Sequence, residues 1–88
     1  MSKGNLQNGS YTPMTAGSTA TIKGSEGALL GFLGTVAGTA TIYDNTTASG
    51  TVIVTALPIA TGWNNIPVAF ATGCTIALTT AAGTAVWV

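Results

Sequence analysis

The sequence predicts an all-β protein: a small antiparallel β-sandwich or jelly-roll-like domain of about seven short strands with an extended N-terminal arm. Polar and apolar residues alternate with a period of two in short segments, and no segment has a helical period. Glycine and other turn-forming residues separate these segments. We therefore divide the chain into an arm at residues 1–18 and a β-sandwich domain at residues 19–88.

The arm is rich in Gly, Ser, Asn and Thr and shows almost no periodicity. Such a segment is typical of a flexible terminus or of a loop that becomes ordered on a partner. Three apolar side chains, Leu6, Tyr11 and Met14, are scattered along it. We expect these three side chains to bind a partner.

The first three predicted strands precede a long loop. In residues 19–23, threonines and a lysine alternate with aliphatic residues, as in a half-buried strand. Residues 28–36 are an apolar run interrupted by two glycines, which is typical of a buried or bulged strand. Residues 39–43 alternate again, and residues 44–50 read DNTTASG, a composition that favours a tight loop.

The last four predicted strands follow this loop. Threonines at residues 51–56 alternate with aliphatic residues, and residues 63–70 form the next period-two set. Pro67 within that set predicts an edge strand or the start of a strand. Residues 74–79 alternate again, and residues 84–88 are the last strand. The sequence does not give the order of these strands in the sheets.

Charge is scarce: of 88 residues, 5% are charged and the net charge is zero, whereas ordinary domains are about 25% charged. The four charged residues all lie in the first half of the chain: Lys3, Lys23, Glu26 and Asp44. Nothing repels one copy from another, which promotes association. The composition predicts a self-assembling or surface-docked protein. Two isolated lysines do not form the basic patch that nucleic-acid binding needs.

Residues 27–43 lack charge and begin with the Gly-x-x-x-Gly spacing of membrane helices at Gly27 and Gly31. A membrane-spanning helix needs about 20 mainly apolar residues, and this run is interrupted by glycines and threonines. We therefore expect no membrane partner. A membrane-active or self-polymerising peptide is an alternative, which liposome leakage or fibre growth without a partner would support.

Catalytic chemistry has few candidates here. Nucleophilic catalysis needs a nucleophile and a positioned base, and the chain has no histidine. Glu26 and Asp44 both lie in turn signals, where a carboxylate ordinarily accepts hydrogen bonds. The single cysteine, Cys74, cannot form an internal disulfide or a metal site by itself, and no neighbouring cation favours its thiolate. We therefore predict a protein that is not an enzyme and has no cofactor or metal.

Two tryptophans, Trp63 and Trp87, are the large amphipathic side chains of the second half. Tryptophan is enriched at the energetic centres of interfaces, although packing in the core is the alternative for both residues. Trp87 lies in a last strand short enough to be a sheet edge. We therefore add Trp87 to the predicted partner-binding residues.

Residues 28–88 carry several short sequence pieces in a fixed order. These are LLG at 29–31, TIYDNT at 41–46, ASGTVIV at 48–54, GW at 62–63, IP at 66–67, Phe70, TG at 72–73 and the strand at 84–88. In this order the chain resembles a family of small β-sandwich virion proteins of tailed bacteriophages, of the capsid-decoration (cement) or head-fibre type. The first 27 residues do not carry the resemblance.

The resemblance implies a protein of the outer capsid surface, which binds the major capsid protein as a homotrimer and stabilises the expanded head. The alternative is a tail or fibre component involved in host attachment. No apolar run follows Met1, so no secretory signal is expected and assembly is predicted in the host cytoplasm.

Overall fold

The computed structural model describes residues 9–88, in which eight β-strands form two four-stranded antiparallel sheets. The strands are β1 (Ser10–Met14), β2 (Thr19–Lys23), β3 (Gly27–Val36), β4 (Gly38–Tyr43), β5 (Val52–Ile59), β6 (Gly62–Phe70), β7 (Cys74–Thr79) and β8 (Ala82–Trp87). The predicted all-β sandwich is confirmed, with eight strands in the described residues rather than about seven.

The strand order is β1-β8-β3-β6 in the first sheet and β2-β7-β4-β5 in the second. β1 pairs with β8, β2 with β7, β3 with β6 and β4 with β5, so the chain is one long hairpin whose two halves pair throughout. This hairpin is rolled up so that β3 also pairs with β8 and β4 with β7. The result is a jelly roll, one of the ways in which antiparallel proteins limit their exposed sheet edges.

The core lies between the two sheets and consists of the inward-facing residue of each alternation. The side chains of Leu29, Phe32, Ile42 and Ile76 are each 1% exposed, and Ala85 is fully buried between larger neighbours. Phe32 and Ala85 are register partners, which sets a large side chain beside a small one. Because interiors are close-packed, this pairing leaves little room for a change of volume.

The eighth strand, β1, lies within the segment that the sequence predicts to be an arm. Met14 at its end is buried in the core, and the strand pairs with β8 over its whole length. Pro13 interrupts the residue pattern, but β1 is an edge strand, where proline is tolerated because one side of the strand needs no partner. The sandwich therefore begins at Ser10, and the predicted Leu6 lies outside the described residues.

Connections alternate between the two ends of the roll. Residues 24–26, 44–51 and 71–73 lie at one end, which is also where β1 begins and β8 finishes. Lys23, Glu26 and Asp44, the charged residues of the described part, all fall at this end, which we call the charged end. Short uncharged connections close the other end, where the Asn64 amide group bonds both the N–H and the carbonyl of Ala60.

Candidate docking surfaces

The outer face of the first sheet carries exposed apolar side chains. Tyr11 pairs across the strands with Val86, and Leu33 pairs with Trp63. Tyr11 is 70% exposed, Leu33 48% and Trp63 53%. We call the surface formed by Tyr11, Leu33, Trp63 and Val86 the apolar face. Exposed apolar patches of this kind mark interaction sites more often than isolated apolar residues do.

A glycine seats the indole of Trp63 against this sheet. A Cβ atom at Gly31 would lie 2.4 Å from Cζ2 and 2.5 Å from Cη2 of Trp63, so only a residue without a side chain leaves room for the ring. The indole covers the backbone of β3 on one side and is open to solvent on the other. The exposed indole of Trp63 therefore has a fixed position on the apolar face.

The charged end is built around a turn that Asp44 holds. Its carboxylate accepts hydrogen bonds from the N–H groups of Ala71 at 3.0 Å and Thr72 at 2.8 Å, with a longer one from Gly73 at 3.4 Å. The Ala71 and Thr72 N–H groups hold the pKa of Asp44 below its usual value, against the opposing effect of partial burial. The carboxylate thus has the turn-acceptor role that the sequence predicts.

The long loop at residues 44–51 folds back over the second sheet. The Thr75 hydroxyl donates to the carbonyl of Asn45 at 2.9 Å, and the Thr21 hydroxyl donates to the carbonyl of Thr46 at 2.8 Å. The two hydroxyl oxygens are themselves 2.8 Å apart. Each hydroxyl has one proton, so the two can make only two of these three hydrogen bonds as donors. Thr75 is 1% exposed beneath the loop.

An open depression of about 520 Å³ lies at the same end, lined by Glu26, Gly27, Asp44, Ala69, Phe70 and Ala71. Its two carboxylates are those of Glu26, which is exposed in a turn, and of Asp44, which accepts the hydrogen bonds of residues 71–73. Among the described residues, no three His, Cys, Asp or Glu side chains come together as metal ligands. No helix in residues 9–88 is long and apolar enough to cross a membrane.

The predicted partner-binding residues have different positions. Tyr11 is exposed on the apolar face, whereas Met14 is buried in the core. The prediction that Trp87 lies at a sheet edge is wrong, because β8 lies between β1 and β3. Trp87 packs against the core, its Nε1 donates to the Thr12 hydroxyl at 3.0 Å, and the Lys23 ammonium lies 5.7 Å from its ring centroid.

Trp63 is an exposed aromatic residue of the apolar face that the predicted partner-binding set omits. Its strand, β6, is an edge strand, as Pro67 predicts. Residues three positions apart in a strand lie on opposite faces, and Ile66 is buried. Alternation along β6 could therefore have predicted that Trp63 lies on the outer face. The space that Gly31 leaves for the ring has no local sequence signal.

Cys74 is fully buried at the start of β7. Burial, with a smaller contribution from the nearby Asp44 charge, raises the pKa of its thiol to about 12. This thiol is inert at neutral pH, as expected for a structural cysteine.

No protein-family model, curated protein or solved structure matches this chain.

Proposed function

We propose that this chain is a bacteriophage virion structural protein: a capsid decoration (cement) protein that binds the major capsid protein and stabilises the expanded head. The observation that carries the proposal is the division of the described sandwich into a charged end and an otherwise uncharged surface. Jelly rolls also build viral capsid domains, which is an analogy of fold and not of function.

In this proposal the charged end faces the capsid. It gathers Lys23, Glu26 and Asp44, the longest loop and the point at which residues 1–9 join β1. The Asp44 carboxylate accepts hydrogen bonds from the turn, and the Thr21 and Thr75 hydroxyls donate to the loop, so both are held in one arrangement, which lowers the entropy lost on binding. In this proposal Leu6 is an additional apolar contact with the capsid.

Self-association completes the proposal. A homotrimer on the outer capsid surface presents three charged ends to neighbouring capsid subunits, so that weak contacts act together by avidity. A clamp across subunit boundaries then resists the separation of those subunits. In this proposal the protein assembles on heads in the host cytoplasm and binds neither nucleic acid nor membrane.

Deletion of residues 2–8 tests whether the charged end faces the capsid, because it removes the segment that joins this end and leaves β1 and the rest of the sandwich intact. We expect the shortened chain to keep its circular dichroism spectrum and to lose most of its co-sedimentation with purified expanded capsids. Two point variants add the same charge at opposite ends: Ser25→Lys at the charged end and Thr61→Lys at the other end, both at exposed positions. Only Ser25→Lys should weaken binding.

Equal binding by the shortened chain, Ser25→Lys and the full chain would show that another surface faces the capsid. The number of copies per major capsid protein in purified virions, measured by quantitative mass spectrometry, tests the function itself. A ratio near parity or a simple fraction supports decoration of the whole shell. A trace ratio supports the alternative, a tail or fibre component in host attachment, and absence from virions rejects both.

A further inference from the structure

The proposed contact between the charged end and the capsid does not involve the apolar face. This face spans the first sheet from Tyr11 on the edge strand β1 to Trp63 on the edge strand β6, with Val86 and Leu33 between them. None of the charged residues in the described part lies on it, since all three fall at the charged end. An uncharged face offers no complementary charge to a basic or acidic partner, and it does not repel a second copy of itself.

We infer that the apolar face is the surface through which copies of this chain associate. The inference rests on the self-association proposed above and adds the residues that form the contact. It explains why Tyr11, Leu33 and Trp63 are exposed on a face that lies apart from the charged end. A chain with a zero net charge also meets little long-range repulsion as its copies approach.

The size of the face favours several identical copies over one separate partner. Four strands about 4.8 Å apart, each with about six residues rising about 3.3 Å, give an area of about 400 Å². A standard interface buries about 800 Å² on each partner, so a single partner on this face would bury only about half of that area. In a closed ring the two neighbours of a copy share this one face, so three copies bury about 1,200 Å² in total, against about 800 Å² for two partners.

The positions of the aromatic residues suit a ring. When the apolar faces of three copies turn towards a common axis, the β1 edge of one copy lies beside the β6 edge of the next. Tyr11 then meets Trp63 of the neighbouring copy, whose indole Gly31 already holds against the sheet with one face open. Offset or edge-to-face contact between such rings is the favoured geometry. Cyclic symmetry also turns all charged ends to the same side, where the proposed docking needs them.

Sedimentation equilibrium of the free protein tests the inference. Trp63→Ser and Tyr11→Ser should each weaken association by about thirtyfold, the loss typical of an aromatic residue at the centre of an interface. Leu33→Ser should weaken it as well. Val52→Ser is the matched control, because Val52 is 42% exposed but lies on the second sheet. Circular dichroism checks that each variant is folded.

Mixing separates a contact between copies from one within a chain. A Tyr11→Ser copy keeps Trp63 and a Trp63→Ser copy keeps Tyr11, so an equimolar mixture regains the native pair at some interfaces. Association of the mixture above that of either variant alone supports the inference. No gain on mixing, an equal loss in Val52→Ser, or a wild-type protein that stays monomeric at its highest soluble concentration overturns it.

Capsid co-sedimentation keeps this result distinct from the proposed function. A wild-type protein that associates through the apolar face but does not bind capsids supports the inference and rejects the decoration role. A protein that binds capsids as a monomer does the reverse. If Trp63→Ser remains fully associated but no longer binds capsids, the apolar face is the capsid contact, and the inference is overturned.

Discussion

Replacement of Thr75 by valine tests how the long loop is fixed to the second sheet. Valine has nearly the same shape, so the change removes the hydroxyl that donates to the Asn45 carbonyl without opening a cavity. That carbonyl lies in a half-exposed loop residue and regains water when the loop lifts. The cost is therefore that of one net hydrogen bond, about 1 kcal/mol, rather than that of a buried unpaired group.

For a domain of this size, a loss of about 1 kcal/mol lowers the melting temperature by about 4–8 °C. Thermal unfolding followed by circular dichroism measures it, with Thr79→Val as the control. Thr79 lies on the same strand and is exposed, so its replacement should change stability by less than about 0.5 kcal/mol. Equal melting temperatures for Thr75→Val and Thr79→Val would refute the reasoning.

The double variant Thr21→Val/Thr75→Val tests the proton count. Since each hydroxyl has its own loop carbonyl as acceptor, the double variant loses two hydrogen bonds and should be about 2 kcal/mol less stable than the wild type. A double variant no less stable than Thr75→Val alone would mean that the Thr21 hydroxyl makes no stabilising hydrogen bond of its own once the Thr75 hydroxyl is gone.

Three further predictions concern the core, the Asp44 turn and the thiol. Phe32→Ala should cost about 3–5 kcal/mol in urea unfolding, a third or more of the roughly 4–13 kcal/mol expected for a domain of this length, whereas Leu33→Ala should cost little in the monomer. The pKa of Asp44 is lowered in the folded state, so the ionised carboxylate stabilises the folded protein fully at a pH above the usual carboxyl pKa. This stabilisation is lost as the pH falls through the pKa of Asp44 in the folded state. Asp44→Asn should therefore flatten this part of the stability–pH curve. Cys74, whose pKa is about 12, should resist iodoacetamide at pH 8 until urea unfolds the protein.

Each of these predictions has a contrary outcome. A loss in Leu33→Ala as large as that in Phe32→Ala would place both side chains in the core. Parallel stability–pH curves for the wild type and Asp44→Asn would assign the acid sensitivity to another group. Rapid labelling of Cys74 in the folded protein would mean that β7 opens locally.

The seven predicted strands are present because their patterns of polar and apolar residues are local: neither a period of two nor a short apolar run requires knowledge of the partner strand. β1 lacks that pattern, since Pro13 and the polar residues around it resemble a loop. Its place in the sheet is set by β8, far away in the sequence. Pro67 correctly indicated that β6 is an edge strand, because proline lacks the N–H group that an inner strand would donate to its neighbour.

The candidate docking surfaces were less predictable. Trp87 is near the end of the chain, yet the rolled topology places β8 inside a sheet, and no local feature of the sequence specifies this. Tyr11 and Trp63 become neighbours of one face through register pairs that cross four strands. The turn-acceptor role of Asp44 was predictable in kind, but its partners at residues 71–73 lie on another connection.

The pairing of β1 with β8 joins residues from opposite ends of the chain, such as Ser10 and Trp87. During synthesis, β3 and β1 emerge from the ribosome long before the strand that belongs between them. The first sheet therefore remains incomplete, with β1 separated from the β3–β6 pair, until β8 has emerged. Such non-local topologies fold over milliseconds to seconds, during which unpaired strands are open to aggregation. A chain cut short before β8 is expected to be a substrate for chaperones and proteases rather than a smaller version of the same domain.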